Sequence, residues 1–409
     1  MRLALARMVK VVAGILVLTL SADGVSAAKL IPDPLSRDRR ITRAARLAPA
    51  NSCRNSDATP TNGMDLSQTR TASLGFPRPT TIGSYSSLNI AVLPLTFTDL
   101  PYRESDHAAL HDAMREFKKY FEAMSYGRTI ISYQVVALAD AVVMPATARS
   151  YGAFGEDIDL ERVMRDSLST ASSSLKLASY DMVALEMARS DSVRFWPVAY
   201  TNSMETPNGR VGGAVLAGGW QGANWRAIAH EVGHVWLGLE DLYDMTPPPQ
   251  YDGTFWEYDL MNSFRGSAPE LTTWHRFLLG WLDDSQVRCI AATTPRKTTH
   301  YLSAVTDRNS FPKMVAKVLS PGRTLVVESR RSRGYDKVND SVLVYVVDST
   351  RRSGDGPIEA KAELTLNKGR KPRQDRYLIP VGSSIRIEGA TIRLVSSSKW
   401  GDLVEVMQR

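Results

Sequence analysis

A short motif of two histidines and a glutamate constrains this chain more than any other feature. Asn224 can cap a helix that begins at Trp225, and His230-Glu231-Val232-Gly233-His234 lies within that helix. Histidines four residues apart project from the same helical face, so both imidazoles can reach one Zn²⁺ ion. Glu231 follows the first histidine and can act as a general base toward a water molecule. The motif therefore predicts a zinc site with a hydrolytic glutamate.

The flanking residues favour a buried metal-binding helix over a solvated helix with a charge pattern. Trp225, Ile228 and Val232 make the helix predominantly apolar, as do Val235 and Trp236. The histidines and the glutamate would then be partly buried, where polar groups without partners cost free energy. A bound metal removes that cost.

A tetrahedral catalytic zinc site requires a third protein ligand and one open position. Gly238 is expected to end the helix soon after the second histidine. The carboxylates of Glu240, Asp241 and Asp244 follow and could turn back to the metal. Glu270 is a further alternative, although its simpler role is a carboxylate in the first turn of a later helix. His275 is expected to be an unpaired structural residue.

The N-terminal 28 residues have the pattern of a cleaved secretory signal. Arg2, Arg7 and Lys10 precede an apolar run over residues 11–20, and small residues follow it. That run is shorter than the roughly 20 residues of a membrane-spanning helix, and no later stretch is long and apolar enough. We expect a secreted protein, extracellular or periplasmic, without a membrane anchor.

The formal charge of +7 is concentrated near the N-terminus. Residues 29–54 carry one lysine and six arginines against two aspartates, and the chain after residue 54 is formally neutral. A short basic arm on a neutral body is typical of a solvated or processed leader rather than of a nucleic-acid site. We therefore expect no nucleic-acid partner.

The chain has two cysteines, Cys53 and Cys289. An even number of cysteines in an oxidising compartment favours a disulfide between them. Free or otherwise engaged thiols are the alternative. A sharper alternative makes Cys53 a thiolate that caps the metal in a latent form.

The patterning along the chain predicts an α+β region followed by a β-rich region. We predict a signal peptide over 1–28, a weakly structured leader or pro-segment without a core over 29–84, a catalytic domain over 85–290, and a β-rich C-terminal domain over 291–409. The first strand is expected over Leu88–Phe97, interrupted by Pro94. Short strands separated by turns, among them Ala362–Leu366, indicate the β-domain.

Several separated segments resemble the immune inhibitor A family of secreted bacterial metalloproteases. The active-site segment is HEVGHVWLGLEDLYD at 230–244, and the other similar segments are YFEAMSYGRTIISYQV (120–135), YDLMN (258–262), PELTTWHRFLLGWL (269–282), LVVESRRSRGYD (325–336) and LVYVVD (343–348). The resemblance covers roughly residues 88–350, and motifs in the same order are more specific than the histidine motif alone. It implies a metzincin-like catalytic domain with a mixed sheet and an active-site helix.

The resemblance also implies roles for residues after the helix. The family has a helix-breaking glycine, here Gly238, and an aspartate as third ligand. One extra residue precedes that glycine, so counting from His230 selects Glu240, whereas counting from Gly238 selects Asp241 and preserves GL-x-DLYD. We favour Asp241. Met261 would form a hydrophobic floor beneath the metal, a role close to that of an ordinary core methionine.

We expect a zinc-dependent endopeptidase with an α+β catalytic domain and an all-β, sandwich-like C-terminal domain. Its partners would be protein or peptide substrates, and its oligomeric state is left open. Asp99 and Asp244 could bind a structural Ca²⁺ ion. Two alternatives are a catalytically impaired binding module, whose third ligand is displaced by the delayed glycine, and a zinc hydrolase acting on a non-peptide substrate.

Overall fold

The chain is a mixed α+β protein with several sheets and few helices, as seen in a computed structural model. The structure describes residues 33–55, 80–155, 158–171, 175–245, 255, 257–351, 353–360 and 377–408. The signal sequence predicted over 1–28 and the strand predicted over Ala362–Leu366 lie outside these residues. Within the described part, no helix is both long and apolar enough to span a membrane.

Four α-helices and eighteen strands make up the regular elements of the described residues. In chain order they are β1 (Ser87–Thr96), α1 (Glu104–Met124), β2 (Ile130–Val135), β3 (Val142–Val143), α2 (Leu160–Thr170), β4 (Met182–Arg189), β5 (Val198–Tyr200), β6 (Met204–Thr206), β7 (Gly209–Val211), β8 (Ala214–Gly219), α3 (Trp225–Leu237), α4 (Thr273–Leu278), β9 (Val287–Ile290), β10 (Lys297–Ser303), β11 (Met314–Ser320), β12 (Arg323–Arg330), β13 (Ser341–Asp348), β14 (Ile358–Ala360), β15 (Leu378–Ile379), β16 (Ser384–Ile387), β17 (Ala390–Ser397) and β18 (Gly401–Gln408).

The first sheet has the strand order β2-β1-β4-β8-β5, and β3 also pairs with β1. Its pairs are parallel except for the edge strand β5, which runs antiparallel to β8. The central strands β1, β4 and β8 are buried along most of their length, as expected for a parallel sheet covered on both faces. Parallel strands need crossover connections, and α1 lies on the connection from β1 to β2.

Pro94 does not interrupt β1, contrary to the expectation from sequence. On one side β1 pairs with β2 up to Val92 and with β3 from Leu95 onward, so Pro94 falls between the two partners. A proline lacks an amide hydrogen and is tolerated where the ladder leaves a gap. On its other side the register continues, with Pro94 opposite Glu186 of β4.

Two further sheets share a core near the C-terminus. The antiparallel sheet β10-β18-β17-β16 faces a six-stranded sheet of order β14-β13-β12-β11-β9, in which β15 also pairs with β13. Alternate residues of β13 enter different cores: Val342, Val344 and Val346 contact the four-stranded sheet, whereas Leu343 and Tyr345 join the core that contains β1, α1 and α3. The six-stranded sheet is therefore buried on both faces.

Residues 33–55 are better packed than the sequence predicts. Ala50 and Cys53 are buried in the main core, and Cys53 forms a disulfide with Cys289 at a Cα–Cα distance of 5.7 Å. The Asp33 carboxylate accepts a hydrogen bond from the Tyr301 hydroxyl at 3.1 Å. The disulfide joins this part of the predicted leader to the main core, although composition alone indicates no core there.

Candidate metal centre

Helix α3 has a defined start, a buried body and a defined end. The Asn224 side chain accepts a hydrogen bond from the Arg226 amide at 3.1 Å, which caps the first turn. Gly238 adopts φ +63° at the end of the helix, a left-handed conformation that favours glycine. Aromatic contacts with α1 fix the helix, with Phe121 and Trp236 rings 5.4 Å apart. The predicted cap and breaker therefore lie where the sequence places them.

Backbone carbonyls orient both histidines of α3. His230 Nδ1 lies 3.0 Å from the Leu260 carbonyl oxygen, and His234 Nδ1 lies 2.7 Å from the Leu239 carbonyl oxygen. A carbonyl oxygen only accepts hydrogen bonds, so each Nδ1 carries a hydrogen, and Nε2 is the ring atom of each histidine that can bind a metal once its own proton is displaced. The two Nε2 atoms are 3.3 Å apart. This is the arrangement found around metal-binding histidines.

Asp241 completes a triangle with the two histidines. Its Oδ1 atom lies 3.1 Å from His230 Nε2 and 3.3 Å from His234 Nε2. A tetrahedral zinc ion with ligand bonds of about 2.0–2.1 Å places its ligand atoms about 3.3 Å apart. The three atoms could therefore hold one zinc ion and leave a fourth position for water or substrate.

The loop that carries Asp241 is tied to a segment near β14. The Asp241 amide donates to Ser353 Oγ at 3.0 Å, and the Gly354 amide donates to the Asp241 carbonyl oxygen at 3.0 Å. The loop after Gly238 is therefore positioned by a distant part of the chain.

The charges of the triangle shift the pKa values of its members. Burial opposes protonation of His230, but the hydrogen bond and charge of Asp241, with Glu231, raise its pKa to about 9. The pKa of His234 is also raised, because the charge and hydrogen bond of Asp241 outweigh burial. Burial would raise the pKa of Asp241, but the two histidines hold it well below its usual value. Asp241 is thus an anion available to balance a cation.

Glu231 lies beside the triangle as a buried carboxyl that is 7% exposed. Burial raises its pKa, while the neighbouring histidines act in the opposite direction. A carboxyl with a raised pKa is a better proton acceptor near neutral pH than an ordinary glutamate. Its position suits a general base rather than a ligand.

The other carboxylates considered from sequence lie outside the triangle. Among the described residues, the triangle is the one group of three acidic, histidine or cysteine side chains whose ligand atoms lie within 4.8 Å of one another. Glu240 is buried, with 1% of its surface exposed, yet is not a member. Glu270 precedes α4 rather than lying in its first turn, and its carboxylate pairs with Arg276. Asp99 accepts hydrogen bonds from the amides of Ala148 and Arg149.

Met261 packs directly against the motif helix. Its side chain is fully buried, and a Cβ atom at Gly233 would lie 2.8 Å from its sulfur. Gly233 stands between the two histidines, so the methionine occupies the space that a side chain there would fill. Its neighbour Leu260 supplies the carbonyl that accepts from His230.

Sequence reasoning missed the group that holds this turn in place. The Asp259 carboxylate accepts hydrogen bonds from the amides of Met261 (2.9 Å) and Thr272 (2.8 Å) and lies 2.9 Å from His275 Nδ1. His275 therefore contacts a buried carboxylate and has a structural position, as expected. Arg330 of β12 donates to the Tyr258 carbonyl oxygen at 2.9 Å. Asp259 lies inside the YDLMN segment, and this segment was the feature of the sequence that could have indicated its role.

A comparison with models of known protein families finds no match, and a comparison with curated proteins finds no match either.

Proposed function

We propose that this protein is a secreted zinc-dependent endopeptidase. The observation that carries the proposal is the triangle of His230 Nε2, His234 Nε2 and Asp241 Oδ1, with sides of 3.1–3.3 Å. Both Nδ1 atoms are engaged by backbone carbonyls, so the donor atoms are oriented before an ion binds. Glu231 lies next to His230 on the same helix.

The chain's own residues account for the acid–base steps. Glu231 accepts a proton from the water that attacks the scissile carbonyl, and then passes this proton to the leaving amine. His230, His234 and Asp241 would hold the ion. Bound zinc would polarise the peptide carbonyl and lower the pKa of the attacking water. Burial raises the pKa of Glu231, which favours its acceptance of the proton.

The finer fold assignment also belongs to this proposal. A mixed sheet with an antiparallel edge strand, the helix α3 and a methionine beneath it support a metzincin-like catalytic domain similar to that of the immune inhibitor A family. Two sheets with a common core support a sandwich-like C-terminal part. The Cys53–Cys289 disulfide and the N-terminal signal pattern support export to an oxidising compartment.

Cleavage of an unfolded protein by the purified chain tests the function. The wild type and Glu231→Gln are supplied with zinc, and products are identified by mass spectrometry. We expect the wild type to cut, a chelator to stop it, added zinc to restore it, and the variant to be slower by about 100- to 10,000-fold. Equal cutting by both proteins would contradict the role of Glu231. No cutting by zinc-loaded wild type would favour a binding module or a non-peptide hydrolase.

A further inference from the structure

An aromatic cluster extends from the metal centre to the protein surface. The Phe264 ring lies 5.9 Å from the His230 ring, Trp196 lies 6.1 Å from Phe264, and Trp220 lies 5.8 Å from Trp196. We call these residues, Trp196, Trp220 and Phe264, the aromatic cluster. Trp196 is 60% exposed, which is unusual for so large an apolar side chain.

Arg265 is an exposed residue whose guanidinium lies over this cluster. Its guanidinium carbon lies 4.8 Å from the ring centres of both Trp196 and Trp220, and 5.8 Å from that of Phe264. Cation–π contacts of this kind hold the planar group in place. No hydrogen bond or ion pair links the guanidinium to an acceptor in the part of the chain that the structure describes. Its N–H donors are therefore available to a ligand.

The backbone around Arg265 is fixed by contacts on both sides. Arg226 of α3 donates to the Gly266 carbonyl oxygen at 2.9 Å, and the Gly266 amide donates to the Ser263 carbonyl oxygen at 3.0 Å. The Trp220 indole donates to the Phe195 carbonyl oxygen at 3.0 Å. Because α3 also carries the histidines, the arginine is held at a defined position relative to the metal centre.

We propose that Arg265 and the aromatic cluster form a substrate subsite that takes an acidic side chain, Asp or Glu, close to the scissile bond. A guanidinium fork binds a carboxylate through two parallel hydrogen bonds. The arginine already lies over the faces of both indoles, so the donors at its edge are the unused recognition groups. This inference rests on the proposed peptidase function and names its substrate class.

Two pools of decapeptides test the subsite. In one pool each position in turn is fixed as Glu, and in the other pool the same position is fixed as Gln. The wild type, Arg265→Gln, Arg265→Glu and the distant exposed control Arg393→Gln are compared by mass spectrometry. We expect the wild type to prefer Glu over Gln at one position by about 10-fold or more, mainly through KM. Arg265→Gln should remove this preference, Arg265→Glu should reverse it so that Gln is preferred over Glu, and Arg393→Gln should retain it.

A binding measurement separates failure of the subsite from failure of the peptidase function. The same pools are titrated calorimetrically into zinc-loaded Glu231→Gln protein with and without Arg265→Gln. A wild type that cuts without an acidic preference, or with a preference that survives Arg265→Gln, overturns the subsite and leaves the peptidase standing. An apolar preference that is lost in Trp196→Ala also overturns it. If the wild type does not cut, tighter binding of Glu pools that depends on Arg265 supports the subsite, and equal binding overturns it.

Discussion

At the scale of single residues, the two ring nitrogens of His230 and of His234 have different roles, since one orients the ring and the other is available to a metal. One nitrogen donates to a backbone carbonyl, and the other faces Asp241. The i, i+4 spacing predicts that both rings share a face, and it is visible in the sequence. The choice between Asp241 and Glu240 depends on the loop after Gly238, whose course is set by contacts with Ser353 and Gly354. Contacts between residues more than 100 positions apart leave no local pattern in the sequence. Residue spacing alone therefore could not decide whether Asp241 or Glu240 is the third ligand.

We predict that Asp241→Asn lowers zinc affinity by on the order of 100-fold or more, because an anionic ligand is replaced by a neutral amide. The matched variant Glu240→Gln changes the adjacent carboxylate in the same way and should bind zinc close to normally. Competition with a chromophoric chelator measures both affinities, and thermal melting confirms that both proteins are folded. The reverse ranking of the two variants would assign the ligand to Glu240.

His300 of β10 predicts acid sensitivity away from the metal centre. Burial, with the charge of Arg288, lowers its pKa to about 3, against about 6.5 for an unfolded chain. Between these values the unfolded chain binds more protons, so the contribution of His300 to stability is complete above pH 6.5 and is lost as the pH falls toward 3. Urea unfolding of His300→Gln should show a shallower loss of stability over pH 6.5–4 than the wild type. Parallel curves would contradict this prediction.

At the scale of elements, α3 and the turn containing Met261 form one unit. The helix was predictable because its cap, its apolar body and its glycine end are all encoded within 15 residues. The partners of the turn were not, since Asp259 meets His275 and Arg330 meets Tyr258 only after distant segments have packed together. The passage of β1 through Pro94 likewise depends on the gap between β2 and β3.

Asp259→Asn is expected to destabilise the protein by about 2–4 kcal/mol, because a fully buried carboxylate becomes a neutral amide. The carboxylate accepts hydrogen bonds from the amides of Met261 and Thr272 and lies 2.9 Å from His275 Nδ1. The turn that contains Leu260 and Met261 would also be less well fixed. Because the Leu260 carbonyl orients His230, zinc affinity should fall. Glu116→Gln, which removes an exposed pair with Lys119, is the matched control and should change little. Urea unfolding measures the difference. A stability of Asp259→Asn equal to that of the control would show that the pair does not secure the turn.

At the scale of the whole molecule, the six-stranded sheet connects the metal centre to the C-terminal residues. Its β12 supplies Arg330, which pairs with Glu328 and Asp336 while donating to the Tyr258 carbonyl oxygen next to the turn. Hydrophobic patterning predicts a β-rich region here, but not that one face of β13 would contact the core containing α3. The core contacts of residues 33–55 were likewise not predictable from patterning, because they join segments that lie far apart in the sequence.

The Cys53–Cys289 disulfide closes a loop with a sequence separation of 236 residues. A loop of this length restricts the unfolded chain strongly, so we expect Cys53→Ala/Cys289→Ala to be less stable by about 3–5 kcal/mol. Urea unfolding of the double variant and of the wild type, each with and without reductant, measures this effect. Reductant should lower the midpoint of the wild type alone. A midpoint that neither the substitutions nor the reductant change would contradict the prediction.

Anomalous diffraction at the zinc edge from crystals of the zinc-loaded protein tests the central claim most directly. The account predicts a single strong peak within about 2.0–2.2 Å of His230 Nε2, His234 Nε2 and an oxygen of Asp241, with Glu231 outside the first coordination shell. A peak within bonding distance of Glu240 or Glu231 but not of Asp241 would contradict this account. The absence of a peak next to the two histidines would also contradict it.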